Sequence, residues 1–276
     1  MAFDSALLHG VLTPRLRISV TREKAAGMLL VLGFYAALIG LWQLVYELEI
    51  WSPYLLPEPS QVLQSVRRYI DSGVLLESIE TTMQRMLAGF AIAFVLGMTI
   101  GIATGSVKWV DQTLGSLVLG MQSLPSICWL PLAILWFGLS EKAIIFVVVL
   151  GSVWAIAISA RDGVRSIPVL QRRTAQVFGA SRWQTIRYVT LPGMLPSMAS
   201  GLKLGWSFSW RSLMAGEIIF VTAGLGHLLQ LGRDLNNMAL VLAIMGVIVA
   251  VGLAFDRLIF GPLDNWVQNR WGLSGR

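Results

Sequence analysis

Residues 161–196 read RDGVRSIPVLQRRTAQVFGASRWQTIRYVTLPGMLP, a polar stretch in an otherwise apolar chain. This stretch, which we call the basic loop, carries six arginines, and its only acidic residue is Asp162. Apolar runs long enough to cross a bilayer lie on both sides of it. Because Arg and Lys collect in the cytoplasmic loops of membrane proteins, the sequence predicts a cytoplasmic segment between two membrane spans.

The first half of the basic loop has the pattern of a short helix that ends at a glycine. The helix is predicted from about Val169 to Phe178, with Ala175 and Phe178 three residues apart on one face. Gly179 comes directly after it and is predicted to end the helix, since glycine tolerates the left-handed conformation found at helix ends.

A second short helix is predicted after the glycine. Ser181 and Gln184 have the spacing of a capping box, in which a hydroxyl and a side-chain amide satisfy free backbone N–H groups reciprocally. Trp183 and Ile186 then share a face, and Pro192 is predicted to stop the pattern. Two helices with aromatic side chains exposed to the cytosol predict a surface that another protein binds.

The basic loop resembles the Glu-Ala-Ala cytoplasmic loop of ABC importer permeases. The alternative is an ordinary basic loop without a partner. The resemblance implies docking into a groove of an ATPase subunit, and it assigns that coupling to Ala175, Phe178, Gly179, Ala180, Ser181, Trp183, Leu191 and Pro192. Arg173 and Thr174 occupy the position of the family's Glu-Ala pair, so no contact from that Glu is implied here.

Composition places the chain in the membrane. Of 276 residues, 55% are hydrophobic and 13% are charged, whereas soluble domains carry about 25% charged residues. We therefore expect an all-α, polytopic membrane protein of about six transmembrane helices. The net charge of +6 is spread over loops, which indicates positive-inside bias and no nucleic-acid partner. The single cysteine excludes a disulfide framework. The sequence contains no Cys/His cluster that would indicate a metal site.

Three regions are predicted along the chain: a basic cytoplasmic N-terminal segment (1–26), a transmembrane permease domain (27–256, containing the coupling loop 161–196) and a basic cytoplasmic tail (257–276). The predicted spans are residues 27–46, 86–105, 114–138, 143–160, 201–221 and 238–255. An amphipathic helix that begins near Pro59 and ends at Gly73 is predicted between the first two spans. Arg and Lys are concentrated at both ends of the chain, so both termini are predicted to be cytoplasmic.

Two spans have further sequence features. Gly97, Gly101 and Gly105 form overlapping G-x-x-x-G units in the second span, which predict close contact with another helix. Pro125 and Pro131 are predicted to break the third span, where freed carbonyls require a cavity or a neighbour. Residues 124–138 resemble the third span of nitrate, sulfonate and taurine permeases, and Leu56–Ser60 resembles a Pro-Ser element of the same subfamily.

Catalytic motifs are absent from the sequence. None of the lysines comes directly after a glycine, so there is no P-loop for ATP. The sequence also lacks Gly-x-Ser-x-Gly, His-Glu-x-x-His and a carboxylate pair. We expect a transport subunit that is not an enzyme and carries no cofactor, with ATP bound by a partner.

The resemblance implies a type I ABC importer permease fold in a bacterial inner membrane. It implies a second permease subunit, most simply a homodimer, two cytoplasmic ABC ATPase subunits, and a periplasmic or lipid-anchored substrate-binding protein. The subfamily imports nitrate, taurine, alkanesulfonates and bicarbonate, and close relatives carry vitamin precursors of the thiamine-pyrimidine or riboflavin type. An ion-coupled secondary transporter and a membrane scaffold without transport are the other classes.

The fifth predicted span carries the candidate substrate pathway. At helical spacing Lys203, Trp206, Trp210, Leu213 and Glu217 form one stripe, and Arg211 lies beside it. A mid-span Arg costs about 2.5–3.5 kcal/mol to insert, so Arg211 should face a cavity or a partner. It could line a path for anions, or bond a carbonyl freed by Pro125 or Pro131. The predicted pathway residues are Gln122, Trp206, Trp210, Arg211 and Glu217.

Overall fold

The computed structural model describes residues 14–219 and 223–271, and within them every side chain except those of residues 14–26, Arg172 and Arg182. Parts of the predicted N-terminal segment (1–13), fifth span (220–221) and tail (272–276) lie outside the described residues. Regular structure in the described part of the chain is entirely helical. The chain divides into two units, Met1–Gln64 and Ser65–Arg276.

The helices succeed one another with short connections. In chain order they are α1 (Pro14–Glu47), α2 (Pro59–Asp71), α3 (Val74–Ser106), α4 (Lys108–Val110), α5 (Ser116–Ser123), α6 (Leu130–Phe137), α7 (Glu141–Ser166), α8 (Val169–Val177), α9 (Arg182–Thr185), α10 (Leu191–Ile219), α11 (Leu225–Asp234), α12 (Met238–Phe255) and α13 (Gly261–Trp271). The π-helical turns Asp111–Gly115, Ile186–Thr190 and Asp256–Phe260 precede α5, α10 and α13, and the 3-10 turn Ser126–Trp129 precedes α6.

In the first unit, α1 contains the predicted first span. Its segment Gly27–Glu47 is long and apolar enough to cross a membrane. Trp42 Nε1 donates a hydrogen bond to the carbonyl of Pro57 over 3.1 Å, which ties the segment after α1 back onto that helix. The predicted amphipathic helix is present as α2, and Gly73 comes after it with a φ of 78°.

Membrane-crossing helices are fewer by length and composition than the six predicted. Among the described residues, four helical segments qualify: Gly27–Glu47, Val74–Ser106, Glu141–Ser166 and Met238–Trp271. A fifth is added if Lys108–Ser123 and Ser126–Phe137, which meet at 100°, form one broken span. Helix α10 does not qualify, because glycines, serines and charged residues interrupt its apolar sequence.

Helix α7 lies at the centre of the second unit, between α3 and α10. Its apolar segment is 61% buried, against 28% for that of α3. The predicted glycine face of α3 is confirmed, since a Cβ at Gly97 would lie 2.8 Å from the Cβ of Ile156, and one at Gly105 would lie 2.7 Å from the Cβ of Val164. The missing side chains let the two backbones approach and gain dispersion contacts along the whole interface.

The two proline predictions for the third span have different outcomes. The chain breaks at Leu124 and Pro125, both extended, and the helices on either side are bent by 100°. Pro131 causes no break and lies in the first turn of α6. A proline is tolerated there because a backbone N–H in the first helical turn has no intrahelical partner.

The prediction that Pro192 stops the second helix of the basic loop is wrong. Helix α9 continues through the π turn Ile186–Thr190 into α10, and Pro192 lies in the first turn of α10. The amide of Leu191 bonds the carbonyl of Ile186, five residues back. Pro192 has no N–H to donate, and the helix continues into it through this wider hydrogen-bonded turn.

The boundaries of two spans also differ from the prediction. Helix α3 begins at Val74, well before Met86, and includes polar residues that the sequence places outside the span. Helix α7 continues to Ser166, so Arg161 and Arg165 belong to its last turns. The free part of the basic loop is therefore shorter than predicted.

Candidate functional site

The two short helices of the basic loop form a compact projection, residues 169–190, which we call the two-helix unit. Gly179 joins them with a φ of 75°, the left-handed conformation predicted for it. The amide of Ala180 donates to the carbonyl of Ala175 over 3.0 Å, which closes the end of α8. The glycine joint is therefore a fixed turn stabilised by backbone hydrogen bonds.

The predicted capping box is present at the second helix. The amide of Ser181 donates to Gln184 Oε1 over 2.7 Å, and the amide of Gln184 donates to Ser181 Oγ over 3.2 Å. These bonds satisfy two N–H groups that a helix start would leave free. They fix the direction in which α9 leaves the glycine joint.

Large apolar side chains cover the outside of the two-helix unit. Phe178 is 84% exposed, Trp183 is 67% exposed, and Val177 and Tyr188 are exposed as well. Nothing in the described part of the chain covers them. Clustered exposed aromatics on a polar, basic projection are typical of a protein-binding surface.

At the base of the two-helix unit, the two central helices pack on each other. Ile167, just before α8, is buried and lies against Gly193 of α10. Gly163 of α7 lies against Met194 and Ser197 of α10. The unit is therefore attached to the chain where α7 and α10 pack together.

An open groove of about 570 Å³ runs along the two-helix unit. Its lining residues are Leu170, Gln171, Thr174, Ala175, Phe178, Tyr188, Val189, Pro192, Gly193 and Trp271. Of the predicted coupling residues, Ala175, Phe178 and Pro192 line this groove, whereas Trp183 is exposed elsewhere on the unit.

Two arginines that the sequence assigns to the basic loop are engaged elsewhere. Arg161 Nε lies 2.7 Å from Asp111 Oδ1, and Arg165 Nη2 lies 2.5 Å from Asp111 Oδ2. Asp111 begins the π turn before α5. The charge pattern of the sequence explains these arginines as cytoplasmic bias, and it gives no sign of their shared partner.

The predicted pathway residues of α10 separate into a buried and an exposed set. Trp206 is buried and stacks on Phe255, with ring centroids 4.8 Å apart, and Trp210 is half-buried. Glu217 is fully buried. The expectation that Trp206 and Glu217 line a pathway gains no support from this geometry, because helices of the same chain surround both side chains.

Glu217 belongs to a polar cluster at the junction of α3, α10 and α11. It accepts hydrogen bonds from Thr82 Oγ1, Arg85 Nη1 and the amide of Gly226, at 2.9–3.1 Å. Arg85 also pairs with Glu141 at 2.9 Å. Sequence reasoning missed Thr82 and Arg85 by placing both outside the second span (86–105). The helical sequence pattern that runs from Val74 without a break could have placed both residues in the same helix as the second span.

Arg211 lies on the exposed face of α10. Its guanidinium is 5.6 Å from the ring centroid of Phe208, and within the described residues it has no hydrogen bond to a carbonyl near Pro125 or Pro131. The packing alternative for Arg211 is therefore unsupported. Ser212, next to it, donates to Ser126 Oγ over 2.8 Å, which places the broken span beside this part of α10. Gln122 is half-buried just before the break.

Comparison with known proteins identifies the family. The family described as "Binding-protein-dependent transport system inner membrane component" matches residues 93–265, which include the broken span, the two-helix unit and the face of Arg211. This chain is a member of that family.

Relatives support this membership. The chain is 32% identical to the taurine transport system permease protein of Escherichia coli K12 over 231 residues, covering 82% of this chain and 84% of that protein. It is 28% identical to the riboflavin transport system permease protein of Chloroflexus aurantiacus, covering 86% of this chain and 88% of that protein. A chain of the MetNI methionine ABC transporter has the same fold, with a TM-score of 0.61 at 19% identity, covering 71% of this chain and 95% of that one.

Membership fixes the general role. Inner membrane components of this family are the permease subunits of ABC importers, and a partner subunit carries the ATPase. A metal site has no candidate in the described residues, because no group of three or more His, Cys, Asp or Glu side chains could hold an ion. The candidate functional surfaces of this inner membrane component are the two-helix unit and the exposed face of α10.

Proposed function

We propose that this chain is the permease subunit of an ABC importer for a small anion, a sulfonate or an inorganic oxyanion. A substrate-binding protein, periplasmic or lipid-anchored, delivers the substrate, two copies of the chain form the path, and two cytoplasmic ATPases drive it. The observation that carries the proposal is the two-helix unit, which exposes Phe178 and Trp183 and lies in the chain between α7 and α10.

The packing of the unit explains how ATP hydrolysis would move the membrane helices. An ATPase that binds Phe178 and Trp183 would transmit its movement to a turn that backbone and capping hydrogen bonds stabilise. Just before the unit, Ile167 packs on Gly193 of α10, and Gly163 of α7 packs on the same helix. Because these contacts are close-packed, a displacement of the unit is passed to both central helices rather than absorbed.

Arg211 supports an anionic substrate. It lies in the second half of α10, eight residues before the end of that helix at Ile219, on an exposed face. Exposure of an arginine to lipid at the centre of a span costs about 2.5–3.5 kcal/mol. This face is therefore expected to line a polar path shared with a second copy of the chain. A guanidinium presents a planar fork of donors that matches the oxygens of sulfonate, nitrate or bicarbonate. Gln122, just before the break, would add a neutral donor to the proposed path.

A vitamin precursor is the second candidate substrate, because a riboflavin permease is among the relatives. A neutral heterocycle would form no ion pair with an arginine in its path, so the presence of Arg211 favours an anionic substrate. An ion-coupled transporter is disfavoured by the state of Glu217. This acidic residue, the only one predicted well inside a span, accepts hydrogen bonds from Arg85, Thr82 and Gly226, as a structural residue would.

The proposed orientation places both termini and the two-helix unit in the cytoplasm of a bacterial cell, with lipid around the outer helices. The basic residues of the unit support this side of the membrane. The junction of Glu217 with Arg85 and Glu141 would then lie towards the outer surface, where the binding protein docks.

The experiment that tests this function is uptake by cells that lack the gene. We expect deletion to abolish binding-protein-dependent uptake of one labelled anion among taurine, an alkanesulfonate, nitrate and bicarbonate, and the wild-type gene to restore it. Riboflavin and thiamine-precursor uptake serve as matched assays. Loss of vitamin uptake with all four anions unaffected would reject the anion assignment and support the second candidate.

A further inference from the structure

Asp111 is placed where the cytoplasmic end of the broken span meets the last turns of α7. Only 17% of its side chain is exposed, and its two oxygens face two arginines, Arg161 and Arg165. Gly115 is next to it in space, since a Cβ there would come within 2.8 Å of Asp111 Oδ1. The turn thus leaves room for one carboxylate between two cations.

The ion-pair cluster of Asp111 with the two arginines lies between two candidate functional parts of the chain, the two-helix unit and the broken span. The two arginines precede Pro168, where the two-helix unit begins. Asp111 precedes α5, which packs along α7 and ends at the break. The other side of the break is fixed to α10 by the hydrogen bond between Ser212 and Ser126. The broken span is therefore held at two points, one beside the unit and one beside Arg211.

A purely stabilising role would not need this arrangement. Helix α7 is already fixed by its packing on α3 and α10, so the cluster is not needed to hold α7 in place. Asp111 pairs each of its two oxygens with a different arginine of α7, and two such ion pairs resist sliding of the turn before α5 along α7. Such a contact transmits displacement between the elements that it joins.

We propose that Asp111 is a positioning residue of the transport cycle, through which movement of the two-helix unit is passed to the broken span beside the substrate path. The inference rests on the proposed function, since it requires an ATPase that moves the unit. When the ATPases close, α7 carries Arg161 and Arg165 with it, and Asp111 takes α5 and the break along.

The chain contains its own reporter of this movement. Cys128 is the only cysteine in the sequence, and it is exposed in the 3-10 turn directly after the break. Its rate of reaction with a maleimide, read on this subunit after electrophoresis, measures how accessible the broken span is. The complex with its ATPase subunits is compared without nucleotide and with ATP and vanadate.

In the wild-type complex, we expect the labelling rate of Cys128 to differ between the two nucleotide states. Asp111→Asn, which keeps the shape of the side chain and removes its charge, should abolish that difference while ATPase co-purification and basal hydrolysis persist. Arg165→Gln should reduce it. Asp162→Asn, an exposed carboxylate on the last turns of α7, is the matched control and should keep the wild-type difference.

Several results would overturn the inference. A wild-type difference that persists in Asp111→Asn rejects the role of Asp111, and an absent difference in the wild type rejects movement of the broken span. If both Asp111→Asn and Arg165→Gln fail to assemble, the cluster is only structural. A failure of the proposed function is distinguishable, because the wild-type complex would then import no anion at all.

Discussion

Arg85 and Glu217 lie 132 residues apart in the sequence and form an ion pair inside the protein, with Arg85 Nη1 3.1 Å from Glu217 Oε1. Arg85 is 5% exposed and Glu217 is not exposed at all. The pair connects α3 to α10, and Arg85 Nη1 also donates to the carbonyl of Ala223 after α10. Through Arg85, α3 is thus joined both to α10 and to Ala223, shortly before α11.

Removal of the cation should destabilise the fold strongly. Arg85→Met leaves a buried carboxylate without its counter-charge, and we expect a loss of about 3–5 kcal/mol in the free energy of unfolding. The measurement is the thermal midpoint of the purified protein in detergent. Arg68→Met on α2, where the side chain is exposed, is the control and should leave the midpoint unchanged.

The double variant separates the charge from the packing. Arg85→Met combined with Glu217→Met removes both charges, and replacement of a buried ion pair by apolar side chains is often close to neutral. We expect the double variant to be more stable than Arg85→Met alone. Equal midpoints for the two variants would show that the ion pair is not the source of the loss.

The glycine face of α3 predicts a strong effect of a single methyl group. In Gly101→Ala the new Cβ would overlap the carbonyl oxygen of Ala157 and lie 2.5 Å from the Cβ of Ala160. We expect a loss of about 1–3 kcal/mol from overpacking. Gly246→Ala on α12 has open space around it and should keep or raise the thermal midpoint. Equal effects at the two sites would contradict close packing of α3 on α7.

Arg211 should be required for transport and dispensable for assembly. Arg211→Met is expected to abolish anion uptake while membrane insertion, ATPase assembly and basal hydrolysis remain. Arg211→Lys keeps the charge without the planar fork and should retain part of the uptake. Arg257→Met changes another exposed arginine and should leave uptake intact. Normal uptake by Arg211→Met would exclude Arg211 from the path.

Local features of the two-helix unit were predictable from the sequence. Gly179 and the Ser181–Gln184 capping box depend on contacts within five residues along the chain, so local sequence is enough to predict them. The all-helical class was equally accessible from the long apolar runs. The prediction for Pro192 failed because a rule about single prolines ignores the π turn before it, which only packing of α10 selects.

Contacts distant in sequence could not be predicted from local pattern. Glu217 is visible in the sequence as a charge inside a span, but its partners lie in α3, in a segment whose polarity predicts an outer loop. Asp111 has the local pattern of a turn residue, because nothing nearby in the sequence indicates that α7 brings two arginines to it. Both clusters depend on how α3, α7 and α10 pack, and hydrophobic periodicity does not specify which polar residues then meet.

The central claim is that the two-helix unit couples this chain to an ATPase, and the glycine joint tests it most directly. Gly179→Val places a β-branched residue at a φ of 75°, which such residues resist, and should break the geometry of the joint. Gly73→Val imposes the same strain at a φ of 78°, also in open space, between α2 and α3. It therefore controls for backbone strain away from the coupling surface.

The measurement is substrate-stimulated ATP hydrolysis by the assembled importer in liposomes. We predict that Gly179→Val abolishes stimulation, although the protein still inserts in the membrane, and that Gly73→Val keeps it. Stimulated hydrolysis and ATPase co-purification at wild-type levels in Gly179→Val would contradict the coupling role of the two-helix unit.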